Sequence, residues 1–405
     1  MKIINWFKYW GQLLLLPVYG ISFLVPKNRN LWLFGSTFGR RFADNPRYIY
    51  MYVNQNKEKF NIRPVWISHD RKIVNFLNKN GYEAYYYHSL KGIWLALRAK
   101  VYIFDNYSKD INFWQSGGAL KVNLWHGTGN KKINYDNRFD KFRHPKNLWE
   151  KWKYFLRRLS DERPSHYVLA SSECMAKIFA SAFNIPISHV IIDGYPRNDV
   201  LFVDCNLEIL YTEKEKSIYD LMENYKKKGY KNILYMPTFR ESESKFFDVM
   251  DLDIFNSFLQ ENNYIFYSKL HTKTKFAKEF ENINYSNIIN VPSEVDSYTI
   301  LDLADMLVTD YSSVHTDYIL LNRPTVLFTY DLEEYSKYTR DCYFEYDSYM
   351  PEIRTYTMEE FMVGIKNAFN EDKCVEGRIK LRKKMWKYVD SKSSERITKK
   401  IQELE

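Results

Sequence analysis

The sequence has few cysteines and no long apolar run, and both absences narrow what the protein can be. Its 405 residues include four cysteines, which lie far apart without a Cys-x-x-Cys pair or Cys/His spacing. This spacing does not indicate a zinc site, and it predicts free thiols in a reducing compartment. An apolar stretch from Leu13 to Pro26 is interrupted by Pro17 and Gly20. It is shorter than the about 20 residues that a membrane-spanning helix needs.

A nucleic-acid-binding signature is also absent, although the chain is basic. The net charge is +9 and the pI is ≈ 9.0, which favours nucleic acid, an acidic membrane face or a phosphorylated substrate as the partner. The basic residues are interleaved with aromatic residues, which make up 18% of the chain, rather than gathered in a tail. We therefore expect an anionic membrane surface or a phosphorylated substrate, and no nucleic acid.

Strand-like and helix-like patterns alternate along most of the chain, which predicts an α/β protein. Buried-strand runs such as Leu31–Phe34 alternate with helix-like segments such as Leu90–Ala99. This alternation is typical of βαβ units in a parallel sheet. At roughly 150 residues per domain, the length predicts two domains. The predicted layout is a membrane-interface anchor at 1–27, Rossmann-like domains at 28–205 and 206–375, and a C-terminal helix at 376–405.

The anchor at 1–27 and an insertion at 133–164 are both basic and aromatic. In the first segment, Trp and Lys precede the apolar run, which suits a helix lying in the lipid headgroup region. The alternative is an ordinary amphipathic helix docked on the first domain. In the insertion, Trp, Tyr and Phe beside Lys and Arg suit a headgroup surface or a lipid-linked pyrophosphate. They equally suit a solvated helix with one packed aromatic face.

The stretch 304–330 is the one around which the chain is organised, and it predicts strand, tight turn, helix and strand. Asp310, Ser312 and Ser313 lie in the turn, after the apolar run Met306–Thr309. Ligands of open α/β sheets bind at the carboxyl ends of strands, and the start of a helix suits a phosphate. The turn is therefore a candidate phosphate site. The alternative is that Asp310 and the serines only cap the helix.

A second candidate site lies in KVNLWHGTGNKK, residues 121–132. His126 follows a predicted strand, where it can act as a general base near neutral pH. Gly127 lets the backbone approach a ligand closely, and Lys131 and Lys132 add charge for a phosphate. The alternative is a core or surface histidine beside a solvated lysine pair.

The second domain contains two further motifs at the ends of predicted strands. Pro237-Thr238-Phe239-Arg240 follows one strand, and Lys269-Leu270-His271 ends another. An arginine at such an end can bind a phosphate in a bidentate manner. The alternative for Arg240 is a surface position in a solvated turn.

These motifs, with TDYSS, NRP and YDLEEY, occur in an order that resembles the glycerophosphotransferases that use CDP-glycerol, the bacterial teichoic acid primases and polymerases. The resemblance implies a glycosyltransferase-B type fold with the active site between the domains. It implies transfer of an alditol phosphate from a CDP-alditol to a hydroxyl of a polyprenyl-diphosphate-linked acceptor, with release of CMP and no cofactor. It also implies peripheral attachment to the cytoplasmic face of the cell membrane.

The resemblance also implies roles for individual residues. His126 is the expected base, and His271 is expected near the donor pyrophosphate. The other expected donor-side residues are Thr238, Arg240, Lys269, Asp310, Ser312 and Ser313, with Asp310 expected to orient the turn, and the expected acceptor-side or phosphate-binding residues are Gly127, Thr128, Lys131 and Lys132. No carboxylate cluster is evident, so we predict no required metal. We also expect the residues of the two domains to converge only when the cleft closes.

The sequence departs from the family pattern at several places and is also compatible with two other classes of function. Gly129 and Asp341 replace a usual proline and glycine, and His315 replaces an apolar residue and is expected to face the cleft. A nucleotide-sugar glycosyltransferase of the same fold is the main alternative. A non-catalytic membrane- or polysaccharide-binding protein is the other, but the retention of all the candidate polar residues disfavours it. The sequence does not choose between glycerol and ribitol as the alditol.

Overall fold

The strands of the protein form two parallel sheets in the computed structural model, which describes residues 6, 9–161, 165–238, 244–270, 284–332 and 341–405. The first sheet has seven strands in the order β3-β2-β1-β4-β5-β6-β7. These strands are β1 Asn28–Phe34, β2 Arg63–Ser68, β3 Ala84–Tyr86, β4 Ala99–Phe104, β5 Leu120–Asn123, β6 Tyr167–Ala170 and β7 Val190–Ile192. The order reverses between β1 and β4, so a crevice opens at their carboxyl ends.

The second sheet has six strands in the order β10-β9-β8-β11-β12-β13. Its strands are β8 Lys231–Tyr235, β9 Tyr264–Ser268, β10 Ile288–Asn290, β11 Met306–Thr309, β12 Thr325–Phe328 and β13 Ile353–Thr355. Its order reverses between β8 and β11, which pair in parallel with Val308 opposite Tyr235. The turns that carry Thr238 and Asp310 follow these two strands, so both candidate residues lie at the switch point of the sheet.

Helices connect the strands and cover both faces of each sheet. Those of the first half are α1 Leu16–Ser22, α2 Asp44–Gln55, α3 Lys57–Phe60, α4 Arg71–Lys79, α5 Leu90–Arg98, α6 Leu148–Lys153, α7 Phe155–Asp161 and α8 Glu173–Phe183. Those of the second half are α9 Glu213–Lys227, α10 Ser244–Val249, α11 Leu252–Glu261, α12 Val314–Tyr318, α13 Tyr346–Tyr349, α14 Met358–Asn370, α15 Val375–Met385 and α16 Ser393–Glu403. Within the described ranges, none of the helices combines the length and apolar character that crossing a bilayer requires.

One hydrophobic core runs from the first sheet to the second. It includes Trp32 and Trp125 on the first side and Leu307 and Trp386 on the second. Strands such as β11 are buried along their whole length, which is expected for parallel strands covered on both faces. The continuous core holds the two sheets in a defined relation at the base of the cleft.

The prediction of a single C-terminal helix at 376–405 is wrong. The segment forms two helices, α15 and α16, and α16 returns to the first sheet. The carboxylate of Asp199 accepts hydrogen bonds from the backbone N–H groups of Ser393 and Ser394 at 2.9 and 2.8 Å, which satisfies the free donors at the start of α16. Trp32 Nε1 donates to Glu405 at 2.6 Å near the other end. These long-range partners explain why local sequence patterns did not reveal the break.

The N-terminal helix α1 docks on the first sheet by one face. Tyr19 stacks on Phe113 with ring centroids 4.6 Å apart, and Ser22 Oγ accepts a hydrogen bond from the Gly117 N–H at 2.9 Å. Leu14 and Leu24, which precede and follow the helix in the sequence, are each 81% exposed to solvent. The segment is therefore a docked helix with an apolar outer surface.

Candidate active site

The WHGT loop after β5 positions His126 at the carboxyl edge of the first sheet. Trp125 adopts a left-handed backbone conformation with φ 52°, which turns the chain sharply at the strand end. The His126 side chain is exposed, and its Nδ1 lies 3.0 Å from the backbone oxygen of Asp105. A carbonyl oxygen can only accept, so Nδ1 carries the proton. The Nε2 atom of the neutral ring is then an unprotonated base.

The carboxyl of Asp105, beneath His126, is braced by the turn after β1. Ser36 Oγ donates to it at 2.6 Å and the Thr37 N–H at 2.9 Å. Burial, together with the nearby charge of Asp44, raises the pKa of Asp105 against the opposing effect of His126. These bonds hold the residue whose carbonyl orients the histidine.

The WHGT loop already touches the serine turn that follows β11. A Cβ built on Gly127 would lie 3.1 Å from Ser313 Oγ, and one built on Gly129 would lie 3.7 Å from Ser313 Cβ. The backbone oxygen of Thr128 accepts from Thr316 Oγ1 at 3.1 Å. The expectation that the two domains converge only on closure is therefore wrong for these two motifs. Their contact is part of the present conformation.

Ser312 and Ser313 do not cap the following helix. Ser313 occupies the cap position of α12 with a helical backbone, φ −66° and ψ −12°, and its side chain makes no capping hydrogen bond. Within the described part of the chain, neither serine hydroxyl makes a hydrogen bond. Both residues are partly exposed, and Ser313 lies beside the WHGT loop. Their hydroxyls can therefore bind a ligand in the cleft.

Asp310 orients the serine turn rather than facing the cleft. It is 1% exposed, and its carboxylate accepts the N–H of Thr238 at 2.9 Å and the Thr238 hydroxyl at 2.8 Å. It also accepts from the N–H of Tyr311. The carboxylate thus joins the turns after β8 and β11, and Thr238 is its structural partner.

Lys269 lies at the end of β9 and is held by carbonyl groups. Its Nζ donates to the backbone oxygens of Pro292 at 3.1 Å and Ser293 at 2.9 Å. Burial and the charge of Arg41 lower its pKa to about 8. Arg41, from the first half of the chain, donates to the same Ser293 oxygen at 3.3 Å. Lys269 therefore fixes a loop at the mouth of the cleft.

Lys131 and Lys132 belong to a segment that pairs with the second half of the chain. Lys131 forms an antiparallel bridge with Cys342, and the Lys132 N–H donates to the Asp341 oxygen at 2.8 Å. The Lys132 side chain lines an open pocket of about 400 Å³ together with Lys177. Thr128, in contrast, is fully buried and donates to Tyr195 at 2.9 Å, so its side chain is structural.

A buried ion-pair network between the two sheets escaped the sequence reasoning. Arg197 donates to Asp44 at 2.7 Å and to Asp317 at 2.8 Å, and both Arg197 and Asp317 are 1% exposed. Tyr298 and Asn198 also donate to Asp317, each at 2.8 Å. The network lies directly behind the WHGT loop, because Arg197 Nη2 would be 3.7 Å from a Cβ on Gly127. The only hint of this network in the sequence is Asp317, a single carboxylate among the apolar residues of the helix predicted after the serine turn.

His315 does not face the cleft, contrary to the sequence-based expectation. It is fully buried, and its Nε2 lies 3.4 Å from Glu352. Glu352, Asp372 and Cys374 form the one group in the described ranges with metal-ligand spacing. Both of its carboxylates pair with Arg378, at 2.9 and 2.8 Å. We therefore interpret this group as an ion-pair cluster of the second sheet.

His271 and Arg240 lie outside the residues that the structure describes. Their expected positions near the donor phosphates stay predictions. The adjoining residues Thr238 and Lys269 show that both motifs begin at strand ends of the second sheet.

Comparisons with known proteins give a consistent result. The profile described as CDP-Glycerol:Poly(glycerophosphate) glycerophosphotransferase matches residues 18–403. The chain is 29% identical over 374 residues to the teichoic acid poly(glycerol phosphate) polymerase of Bacillus spizizenii W23, covering 88% of this chain and 89% of that protein. It is 28% identical over 324 residues to the teichoic acid glycerol-phosphate primase of Bacillus subtilis 168, covering 78% of this chain and 77% of that protein.

The fold also matches a solved structure along the whole chain. The wall teichoic acid polymerase TagF, in a histidine variant soaked with CDPG, superposes with a TM-score of 0.74 at 22% identity. The match covers 99% of this chain and 97% of that chain. It confirms the predicted glycosyltransferase-B type fold.

Proposed function

The chain belongs to the CDP-glycerol:poly(glycerophosphate) glycerophosphotransferase family, a family of enzymes, and we propose that it transfers glycerol phosphate or a related alditol phosphate from a CDP-alditol to a hydroxyl of a lipid-linked acceptor. The observation that carries the proposal is the position of His126. Its Nδ1 donates to the Asp105 carbonyl, its side chain is exposed, and the next residue, Gly127, lies against Ser313 of the serine turn. This arrangement supplies a base at the edge of a phosphate-binding turn.

In the proposed reaction, the acceptor oxygen attacks the phosphorus that carries the alditol. The new bond forms between this oxygen and the phosphorus, and the bond from the phosphorus to the bridging oxygen of the CDP-alditol breaks. The electron pair leaves with CMP. The hydroxyl proton passes to His126 Nε2, and the hydrogen bond to the Asp105 carbonyl stabilises the resulting imidazolium.

The serine turn and its neighbours would bind the donor diphosphate. Ser312 and Ser313 are partly exposed, Ser313 lies beside the WHGT loop, and the Asp310–Thr238 bond fixes the turn that presents both hydroxyls. Arg240 and His271 continue from strand ends of the same sheet, where a positive group would neutralise charge on the leaving phosphate. Lys132, beside Lys177 in the open pocket, is our candidate for the acceptor diphosphate.

An exposed apolar stripe on the first half of the chain would face the membrane. We define the stripe as Leu14, Leu24, Leu148, Trp149 and Trp152, which are between 53% and 83% exposed. Its two segments are joined, because the rings of Trp10 and Trp152 stack with centroids 4.2 Å apart. Exposed aromatic and apolar groups flanked by lysines suit the headgroup region. This arrangement supports peripheral attachment to the cytoplasmic face of the membrane.

Membrane attachment is tested by flotation with vesicles that contain anionic lipid. The variant Leu148→Ser/Trp149→Ser should lose most of its binding. The matched control Ile254→Ser/Val363→Ser removes two side chains that are 51% and 57% exposed on helices of the second sheet. Equal flotation of both variants would contradict the assignment of the stripe.

The reaction is tested by CMP release from the purified protein. CDP-glycerol and CDP-ribitol are offered separately, each with a lipid-linked disaccharide acceptor, to the wild type and to His126→Ala. His88→Ala is the matched control, because His88 is also an exposed histidine after a strand of the first sheet. We expect CMP release with at least one donor, lost in His126→Ala and kept in His88→Ala. Turnover of a UDP-sugar without release from either donor would favour the nucleotide-sugar glycosyltransferase instead.

A further inference from the structure

The switch point of the first sheet lies beside the proposed base and has no assigned part in the proposed reaction. The order of this sheet reverses between β1 and β4, and ligands of open α/β sheets bind in the crevice at such a point. The turn after β1, residues 36–39, lies there, and Phe38 is an exposed residue of this turn. His126 follows β5, which pairs with the other side of β4.

The backbone of this turn is strained at two residues that carry side chains. Thr37 and Phe38 both have left-handed conformations, with φ 49° and 56°. Such values are genuine outliers for a β-branched or bulky residue. They persist only where the surrounding structure holds them, and they cluster at active sites and ligand clamps. A glycine at position 38 would adopt this conformation without strain, so the phenyl side chain has a reason beyond the shape of the turn.

Buried groups on both sides hold the turn in this conformation. The Phe38 N–H donates to the carboxylate of Asp110, which is fully buried, at 2.9 Å. On the other side, the backbone oxygen of Gly39 accepts from Ser68 Oγ at 2.8 Å and from the His69 N–H at 2.7 Å. The turn therefore holds the base of the aromatic side chain in a fixed position. A group that is preorganised in this way loses little conformational freedom when a ligand binds.

The Phe38 ring is accessible and close enough to His126 for one substrate molecule to contact both. The side chain is 43% exposed, and Lys109 Nζ lies over the ring, 5.1 Å from its centroid. The strands β1 and β5 are separated by β4 alone. Neighbouring strands are about 4.8 Å apart, so the turns after β1 and β5 begin about 10 Å from each other.

A sugar ring of the acceptor suits this position better than the other parts of the two substrates. A pyranose has an apolar face of C–H groups that packs on an aromatic ring, and its hydroxyls reach polar groups around that ring. An alditol phosphate chain is flexible and charged, and it has no such face. The donor is expected at the serine turn of the second sheet, so an exposed aromatic ring on the first sheet fits the acceptor.

We propose that Phe38 binds a hexopyranose ring of the acceptor by stacking and thereby positions the acceptor hydroxyl at His126. The inference rests on the proposed function, because it names the ligand group that the first sheet recognises in the same cleft. It makes the chain selective for acceptors that carry a sugar near the reactive hydroxyl.

The test measures binding to the full-length protein by calorimetric titration, without turnover. The probes are the disaccharide of the CMP-release assay carried on hexyl diphosphate, hexyl diphosphate alone, and CDP-glycerol. The variants are Phe38→Ala, Phe38→Tyr and Phe38→Gly. The matched control is Trp94→Ala, which removes a 54% exposed aromatic side chain from α5 of the same half of the chain.

We expect the wild type to bind the disaccharide probe at least tenfold more tightly than hexyl diphosphate alone. Phe38→Ala should weaken binding of the disaccharide probe at least tenfold and change binding of the other two probes less than twofold. Phe38→Tyr should stay within threefold of the wild type, and Trp94→Ala should bind all three probes normally. Unchanged disaccharide binding by Phe38→Ala, equal weakening of all three probes, or no preference of the wild type for the disaccharide would overturn the proposal.

Phe38→Gly separates a binding role from a structural one. Glycine relieves the strain at position 38, so the melting temperature should equal or exceed that of the wild type while disaccharide binding falls at least tenfold. A lower melting temperature would mean that the ring stabilises the turn, and it would overturn the proposal. CMP release by the wild type, with disaccharide binding unchanged in Phe38→Ala, would refute the stacking role alone. Absence of CMP release from either donor would instead refute the proposed function.

Discussion

Removal of Arg197 and of the Asp317 charge together should destabilise the protein by less than the sum of the two separate removals. Arg197 donates to Asp317 and Asp44 in the interior between the sheets. Arg197→Met keeps most of the aliphatic volume but leaves the Asp317 carboxylate buried with only Asn198 and Tyr298 as donors. Breaking a buried pair from one side costs about 3–5 kcal/mol. We expect a value near ~3 kcal/mol, because two hydrogen bonds to Asp317 remain.

The free-energy cost of Arg197→Met should increase as the pH rises. Burial already raises the pKa of Asp317 above its ordinary value, although Arg197 opposes the shift. Without Arg197 this pKa rises further, so the folded state binds a proton that the unfolded state has released. Stability of Arg197→Met should therefore fall as the pH rises from the unfolded pKa near 4 through the folded pKa, at a limiting slope of ~1.4 kcal/mol per pH unit.

The assay is urea denaturation followed by tryptophan fluorescence, at pH 5 and pH 8, for the wild type and three variants. These are Arg197→Met, Asp317→Asn and the double variant. The double variant no longer buries the Asp317 carboxylate, so its loss should be smaller than the sum of the single losses by at least ~1.5 kcal/mol. A loss below ~1 kcal/mol for Arg197→Met, or additive losses with no pH dependence, would refute the reasoning.

Three further predictions concern the cleft. Gly127 has a backbone φ of +155°, and Gly127→Ala would place a methyl group 3.1 Å from Ser313 Oγ, so we expect at least a tenfold loss of CMP release. In the control Gly129→Ala, the methyl group would meet only Ser313 Cβ at 3.7 Å, and the variant should keep its activity. The stability of the wild type relative to Lys269→Met should rise by up to ~3 kcal/mol between pH 8 and 10.5, because the pKa of Lys269 is about 8 in the folded state and ordinarily 10.5. A difference between the two proteins in urea denaturation that does not change with pH would contradict this. Treatment with EDTA followed by gel filtration should leave CMP release unchanged, and its loss with recovery on added magnesium would disprove the prediction that no metal is required.

The sequence was informative wherever a local pattern carries a structural meaning. Alternating apolar runs and turn residues predicted the strands of both sheets except β13, because a buried parallel strand is a short apolar run bounded by breakers. Polar residues after these runs, such as His126 and Asp310, were correctly expected at strand ends. The parallel topology then brought the two turns to facing edges, which is why the WHGT loop and the serine turn meet.

The rest depends on partners that are distant in the sequence. Arg197 and Asp317 are 120 residues apart, and no local pattern links them. The break between α15 and α16 depends on Asp199, which binds the start of α16 from 194 residues away. His315 stands where the family has an apolar residue, and only its contact with Glu352 shows that it turns inward. Such pairings are fixed by the packing of the two sheets rather than by spacing along the chain.

The contacts across the cleft indicate that His126, the proposed base, is preorganised. His126 is oriented by a backbone carbonyl, the WHGT loop rests against Ser313, and the Arg197 network fixes the loop from behind. None of these contacts requires the donor to be bound. A base that is already oriented costs little reorganisation at the moment of reaction, which favours a mechanism in which donor binding completes the phosphate site rather than assembling the base. On this reasoning, Gly127→Ala should lower kcat more than it raises KM for the CDP-alditol, because it disturbs the base and the serine turn together. A change confined to KM would instead mean that the loop serves donor binding alone.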